Sequence, residues 1–215
     1  MNSNLTEIVF LLDRSGSMAG LEEDTLGGFN AMVGKQRKEP GEALLSAVLF
    51  NHESTVLYDR VDLKKIEPMT ERQYCVGGCT ALLDAIGGAV RHIANVHKYA
   101  REEDRPARTV FVITTDGLEN ASRSYSYDEV QRMVKHEREK YGWEFLFLGA
   151  NMDAIAAARS FGIRPDRAVR FANDGAGTQL NYCVVSDTLA RIRRREEVDA
   201  SWSAPIEADY SKRGK

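Results

Sequence analysis

The stretch Thr6-Glu7-Ile8-Val9-Phe10-Leu11-Leu12-Asp13-Arg14-Ser15-Gly16-Ser17-Met18 decides how this chain is read. Residues 6–12 form an apolar run of strand length, the pattern of a strand covered on both faces in a parallel sheet. The run then turns polar at once. One carboxylate and two hydroxyls stand at alternating positions, Asp13, Ser15 and Ser17, and turn three oxygens toward one point. Gly16 is expected to remove the side chain that would crowd that point.

Downstream, segments of helical period alternate with further apolar runs. A helix is expected over about 21–38, with Leu26, Phe29, Met32 and Val33 on one face, stopped by Glu39-Pro40-Gly41. Residues 43–51 and 54–61 read as two strands joined by a short turn at His52-Glu53, which makes them antiparallel. Residues 64–74 read as a short helix, and Gly77-Gly78 as a sharp turn before Thr80. A long helix over 81–99 buries a stripe that includes Leu82, Ile86, Val90 and Ile93. Strands then follow at 109–114, 143–148 and 167–171, and helices at 127–140, 153–161 and 179–196.

This order predicts an α/β fold. It is a three-layer α/β/α sandwich with a doubly wound, mostly parallel six-stranded sheet and one antiparallel edge strand. No internal repeat or linker divides the chain. Residues 1–200 read as one domain and 201–215 as a flexible C-terminal tail in which Trp202 is a candidate for local packing. In such sheets ligands sit beyond the carboxyl ends of the strands, where strand order reverses.

Composition narrows the function. The chain has 215 residues, 43% of them hydrophobic, enough for one substantial core. A net charge of −3 gives no electrostatic case for nucleic acid or an anionic membrane. Arg191, Arg193, Arg194 and Arg195 run directly into Glu196 and Glu197, which reads as a solvated helix end favoured by the helix dipole. Residues 1–5 carry no basic lead and the apolar run after them is too short for a signal or a membrane span. Cys75, Cys79 and Cys183 have no framework spacing and read as free thiols. A cytoplasmic location is expected.

Two further strand ends should meet Asp13, Ser15 and Ser17 on one edge. One supplies Thr80, after Gly77-Gly78-Cys79; the other supplies Asp116, in Thr114-Thr115-Asp116-Gly117. Oxygen donors alone suit a hard cation, and Mg²⁺ prefers six of them, some from water. Each piece also has an ordinary reading. Asp13, Ser15 or Thr80 could cap a helix, and Asp116-Gly117 could be a plain turn.

Taken together, Asp13-x-Ser15-x-Ser17, the Thr80 loop and Thr114-Thr115-Asp116-Gly117 resemble the metal ion-dependent adhesion site of the von Willebrand factor A family. The resemblance runs from Thr6 to about Glu196 and is to the bacterial intracellular type. It implies that Ser15, Ser17 and Thr80 touch a metal through their hydroxyls, and that Asp13 and Asp116 act largely through bound water. Mg²⁺ is the implied ion, with Mn²⁺ or Ca²⁺ as substitutes. The implied function is binding, not catalysis: a position left open on the ion takes a Glu or Asp of a partner protein. Met18, Glu119, Asn120, Arg123, Tyr125 and Asn151 are expected on the rim that meets this partner, with packing of the tyrosines on the domain as the alternative.

A metal-dependent phosphohydrolase is the alternative activity. An aspartate after the first strand also begins haloacid dehalogenase-type phosphatases, but their second aspartate is here Ser15, which is no general acid near neutral pH. His92 and His97 stand about 140° apart on one helix and do not converge.

Overall fold

A computed structural model describes residues 1–150 and 153–213. The apolar run around Ile8 extends into β1 (Asn2–Asp13), followed by α1 (Glu22–Gln36), β2 (Glu42–Phe50) and β3 (Ser54–Asp62). Then come α2 (Leu82–Tyr99), β4 (Pro106–Thr115), α3 (Tyr127–Tyr141) and β5 (Glu144–Gly149). The chain continues through α4 (Ala154–Ser160), β6 (Ala168–Arg170), α5 (Gly175–Arg193) and α6 (Ala204–Arg213). The strands lie in the order β3-β2-β1-β4-β5-β6. All neighbours are parallel except β2 and β3. This is the expected sandwich, with the antiparallel strand at one edge.

β1 divides its side chains between two cores, as the two-residue period of a strand requires. Ile8, Phe10 and Leu12 pack with Phe29 and Met32 of α1 and with Val185 and Leu189 of α5. Phe10 meets Phe29 edge to face, with ring centroids 5.4 Å apart. Val9 and Leu11 face the other way, toward Ile86, Val90 and Ile93 of α2 and Val130 and Val134 of α3. The chain builds β2 and β3 on one side of β1, then crosses to build β4, β5 and β6 on the other. Strand order therefore reverses between β1 and β4, and a crevice opens at their carboxyl ends. Asp13 ends one of these strands and Thr115-Asp116 the other.

The run in β1 is not wholly apolar. Glu7 is 0% exposed. Arg60 Nε donates to both of its carboxylate oxygens, at 2.9 and 3.1 Å, and His97 Nε2 lies 3.1 Å from one of them. Arg60 has a left-handed φ of 52°, where the register of β3 against β2 shifts, and its N–H donates to Ser46 Oγ. That backbone conformation is costly for a residue with a Cβ and places the guanidinium over the buried acid.

Two expected segments differ. Residues 64–74 form no helix: a 3₁₀ turn, Leu63–Lys65, overlaps their start, and a single hydrogen-bonded turn closes over Thr70–Tyr74. Pro68 biases Glu67 away from helical geometry and offers no N–H. Asn30 of α1 then holds the Met69 backbone in an open form, donating to its carbonyl at 2.9 Å and accepting its N–H at 2.8 Å. The expected flexible tail is instead structured through residue 213. A 3₁₀ turn, Ala200–Ser203, leads into α6, and Trp202 and Ile206 are buried in the core of α1 and α5. The Trp202 indole N–H donates to the Asp166 carbonyl at 2.8 Å. Among the described residues no helix is long and apolar enough to cross a membrane.

Candidate metal centre

The end of β1 is fixed before any ligand is considered. Asp13 is 1% exposed. Its Oδ1 accepts the Ser15 N–H at 2.7 Å, and its Oδ2 accepts the Thr115 hydroxyl at 2.5 Å, which ties β1 to β4. The Tyr74 hydroxyl donates to the Asp13 carbonyl oxygen from the non-helical segment before the Gly77-Gly78 turn. Two backbone bonds clamp the loop after β1 to that turn: Gly16 N–H to the Gly78 carbonyl at 2.9 Å, and Gly77 N–H to the Arg14 carbonyl at 2.8 Å. Asn51, just beyond the end of β2, donates to the Gly77 carbonyl at 2.8 Å.

The hydroxyls link the two strand ends. Ser15 Oγ lies 3.1 Å from Ser17 Oγ, and Ser17 Oγ donates to Asp116 Oδ1 at 2.5 Å. Thr80 is placed by Asn120, whose side-chain oxygen accepts the Thr80 N–H at 2.9 Å and whose own N–H donates to the Thr80 carbonyl at 3.0 Å. A Cβ built on Gly117 would stand 2.7 Å from Thr80 Oγ1 and 3.5 Å from Ser17 Oγ. Asp13, Ser15, Ser17, Thr80 and Asp116, from three loops, thus share one cluster. The residue that keeps its centre clear is Gly117. Gly16 serves the contact between loops instead, since a Cβ there would face the Gly78 carbonyl at 3.4 Å.

The charges of the donor set suit a cation. Burial pushes the Asp13 carboxyl above the usual carboxylate range; hydrogen bonds from Thr115 and Ser15 pull it back, and the neighbouring Asp116 carboxylate pushes it further up. Asp116 is 3% exposed. Among the described residues neither acid has an ion-pair partner. Two buried carboxylates without a protein cation, surrounded by hydroxyl oxygens, fit a hard divalent ion. Nowhere among the described residues do three His, Cys, Asp or Glu side chains converge, so a thiolate or imidazole centre has no candidate there.

The expected rim is only partly a rim. The Glu119 carboxylate accepts the N–H groups of Leu83, Ala121 and Ser122 and the Ser122 hydroxyl, all between 2.7 and 2.9 Å. It shapes the loop and the start of α2, and so does Asn120 through Thr80. The Tyr125 ring lies against Gly87 of α2, where a Cβ would strike it at 2.5 Å, so Tyr125 packs on the domain. Met18 is buried and lines a cavity of about 20 Å³ with Phe10, Thr115 and Tyr182 beneath the cluster. Asn151 lies outside the described residues. Arg123 is exposed, although its N–H is held by Asp84 at 2.9 Å. Leu118, 64% exposed, is the open apolar side chain beside Asp116.

Three neighbours escaped sequence reasoning. His52 overlies Gly78, whose φ is 82° and whose missing Cβ would meet His52 Nδ1 at 2.3 Å. Asn173, in the loop after β6, donates from Nδ2 to Asp116 Oδ2 at 3.1 Å. Its place just beyond a strand end on the same edge was the available signal. Tyr74 offered none. A cleft of about 620 Å³ around Arg164, Arg167 and Asp199 is remote from this edge, and these three side chains are engaged in internal ion pairs.

Comparison with known proteins bears on the family and the fold. The family model for VWA domain containing CoxE-like protein matches residues 2–139. No curated protein matches the chain. Among solved structures, the proximal thread matrix protein 1 of the mussel byssus, with a zinc-occupied MIDAS motif, aligns with TM-score 0.59 and 14% identity. That alignment covers 87% of this chain and 46% of the mussel protein. A von Willebrand factor type A protein from Catenulispora acidiphila aligns with TM-score 0.55 and 13% identity, over 88% of this chain and 42% of that one. The vWF domain of the type V pili tip protein Mfa5 from Porphyromonas gingivalis aligns with TM-score 0.61 and 10% identity, over 93% and 99%. The chain spans less than half the length of the mussel and Catenulispora proteins. At these identities the structures speak to the fold.

Proposed function

The chain belongs to the family of VWA domain containing CoxE-like proteins, a von Willebrand factor A family, and on that premise we propose that it is a divalent-metal-dependent protein-binding module. Asp13, Ser15, Ser17, Thr80 and Asp116 hold Mg²⁺, with Mn²⁺ or Ca²⁺ able to replace it, and the ion grips a Glu or Asp of a partner protein. The observation that carries this reading is the pair of buried carboxylates, Asp13 and Asp116, joined through hydroxyls and lacking a protein cation among the described residues.

The chemistry follows from the donor set. Uncharged hydroxyls offset little of a dication's charge, so the bound ion stays attractive to an incoming carboxylate. The exposed Ser17, Leu118 and Arg123 give that partner a surface beside the ion. VWA domains are generally interaction modules, and CoxE-like members are associated with the assembly of enzyme complexes. That supports a role as subunit or adaptor of a larger complex. Hydrolysis has less support. The Tyr74 hydroxyl beside Asp13 is committed to the Asp13 carbonyl, and burial pushes its proton release well above the usual phenol range, so it is no general base.

The test is affinity capture from cell extract with Mg²⁺, with chelator, and with Asp116→Ala. A partner retained only by the unaltered protein in Mg²⁺, and eluted by chelator, is the expected result. Retention that is equal in all three conditions removes the metal from the interaction.

A further inference from the structure

The link between β6 and α5 is four residues long, 171–174, and is held at both ends. The Phe171 N–H donates to the Gly149 carbonyl at 3.2 Å, and its ring is buried. Asp174 caps α5 by accepting the Gly177 N–H at 2.8 Å, and Arg213 of α6 pairs with the same carboxylate at 2.8 Å. Asn173 therefore stands on a fixed frame, and its side chain reaches the cluster described above.

Each oxygen of Asp116 is taken by a different loop: Oδ1 by the Ser17 hydroxyl at 2.5 Å and Oδ2 by Asn173 Nδ2 at 3.1 Å. An ionised carboxylate only accepts hydrogen bonds, so the amide must show it the NH₂ group and turn its oxygen away. That oxygen, Asn173 Oδ1, is buried and has no partner among the described residues. A buried acceptor left without a donor is costly, and native structures retain few of them.

We propose that Asn173 is a positioning residue of the metal centre. Its NH₂ group fixes the plane of the Asp116 carboxylate, and its Oδ1 accepts a hydrogen bond from water held on the bound cation. The proposal rests on the metal-binding reading above. It adds a fourth loop to the three that supply the oxygen donors. Outer partners that orient a ligating carboxylate commonly set metal affinity within a factor of about 10–100.

Mn²⁺ serves as the probe, because it reports both its affinity and its bound water. Binding is titrated by electron paramagnetic resonance, and water in the shell is read from proton relaxation, for the unaltered chain, Asn173→Ala, Asn173→Ser and Asp116→Ala. The unaltered chain should bind. Both Asn173 variants should bind about tenfold or more weakly and show altered water relaxation, with unchanged melting in chelator; a purely structural role would move melting alone. Asn173→Ser, which keeps the link small and polar, decides the matter should Asn173→Ala fail to fold. Equal affinity and equal relaxation in the unaltered chain and the Asn173 variants overturn the positioning role while leaving the metal reading intact. An unaltered chain that does not bind Mn²⁺ overturns both.

Discussion

Gly117→Ala isolates the centre of the cluster from the rest of the fold. The backbone at Gly117 is not in the left-handed region, so an alanine there meets no conformational penalty of its own. Its Cβ would fall 2.7 Å from Thr80 Oγ1, closer than real methyl groups approach an oxygen. The Thr80 backbone cannot retreat, because Asn120 holds both its N–H and its carbonyl. Thr80 is buried and branched at Cβ, so relief must come from turning its hydroxyl out of the cluster. Overpacking of this kind costs about 1–3 kcal/mol. The greater effect falls on the ion. Withdrawing one oxygen donor should weaken Mg²⁺ binding by at least the factor of about 10–100 seen when an outer partner is lost. The assay is calorimetric titration with Mg²⁺, paired with urea unfolding in chelator. Expected are a modest drop in the unfolding midpoint and a Kd raised by tenfold or more. An alanine variant that binds Mg²⁺ as tightly as the parent would show that Thr80 and Gly117 do not border the ion.

Three further outcomes are expected. Glu7→Ala strips the partner from Arg60 and His97 in a buried network, and should cost about 3–5 kcal/mol in urea unfolding; Mg²⁺ affinity should hold, since Glu7 lies in the middle of β1, six residues before Asp13. Glu137 is buried, and burial holds its carboxyl above the usual range against the pull of His136, His97 and Lys140. The native state therefore prefers the protonated acid and loses stability as pH rises through that raised value. Glu137→Gln should raise the melting temperature at pH 7, with the difference closing toward pH 4; a constant difference across pH would contradict the burial argument. Asp84 accepts the N–H groups of Arg123, Ser124 and Tyr125, each at 2.9 Å. Asp84→Ala should cost about 2–4 kcal/mol and raise amide exchange over 118–126, and unaltered exchange there would count against that role.

What the sequence makes legible is what has a period or a fixed spacing. Near-continuous apolar runs locate β1, β4 and β5, because strands buried on both faces are mostly apolar. Asp13-x-Ser15-x-Ser17 is legible because three of the oxygens share one turn. Contacts made across the chain are less so. Residues 64–74 carry a helical composition, but Pro68 and the Asn30 contact outweigh propensity. The aperiodic residues after Ser201 read as loose, yet one Trp and one Ile suffice to seat α6 on α5. Tyr125, exposed in a polar loop by sequence, finds the bare face of Gly87 in α2. Glu119 looks like a binding carboxylate until its four donors are counted.

β1 supplies its own control for the charge argument. Glu7 and Asp13 lie six residues apart on one strand and turn to the same face. Glu7 is 0% and Asp13 1% exposed. At Glu7 the fold brings a guanidinium and an imidazole to the carboxylate, and accepts a strained backbone at Arg60 to do so. At Asp13 it brings only neutral donors, the Ser15 N–H and the Thr115 hydroxyl, and a second carboxylate stands nearby. Isolating an ionised acid from water without a countercharge costs several kcal/mol. The same chain meets that cost with protein cations at Glu7 and supplies none at Asp13. The difference is accounted for if positive charge arrives at Asp13 from outside, and the carboxyl ends of β1 and β4, at the reversal of strand order, are where such a sheet admits a ligand.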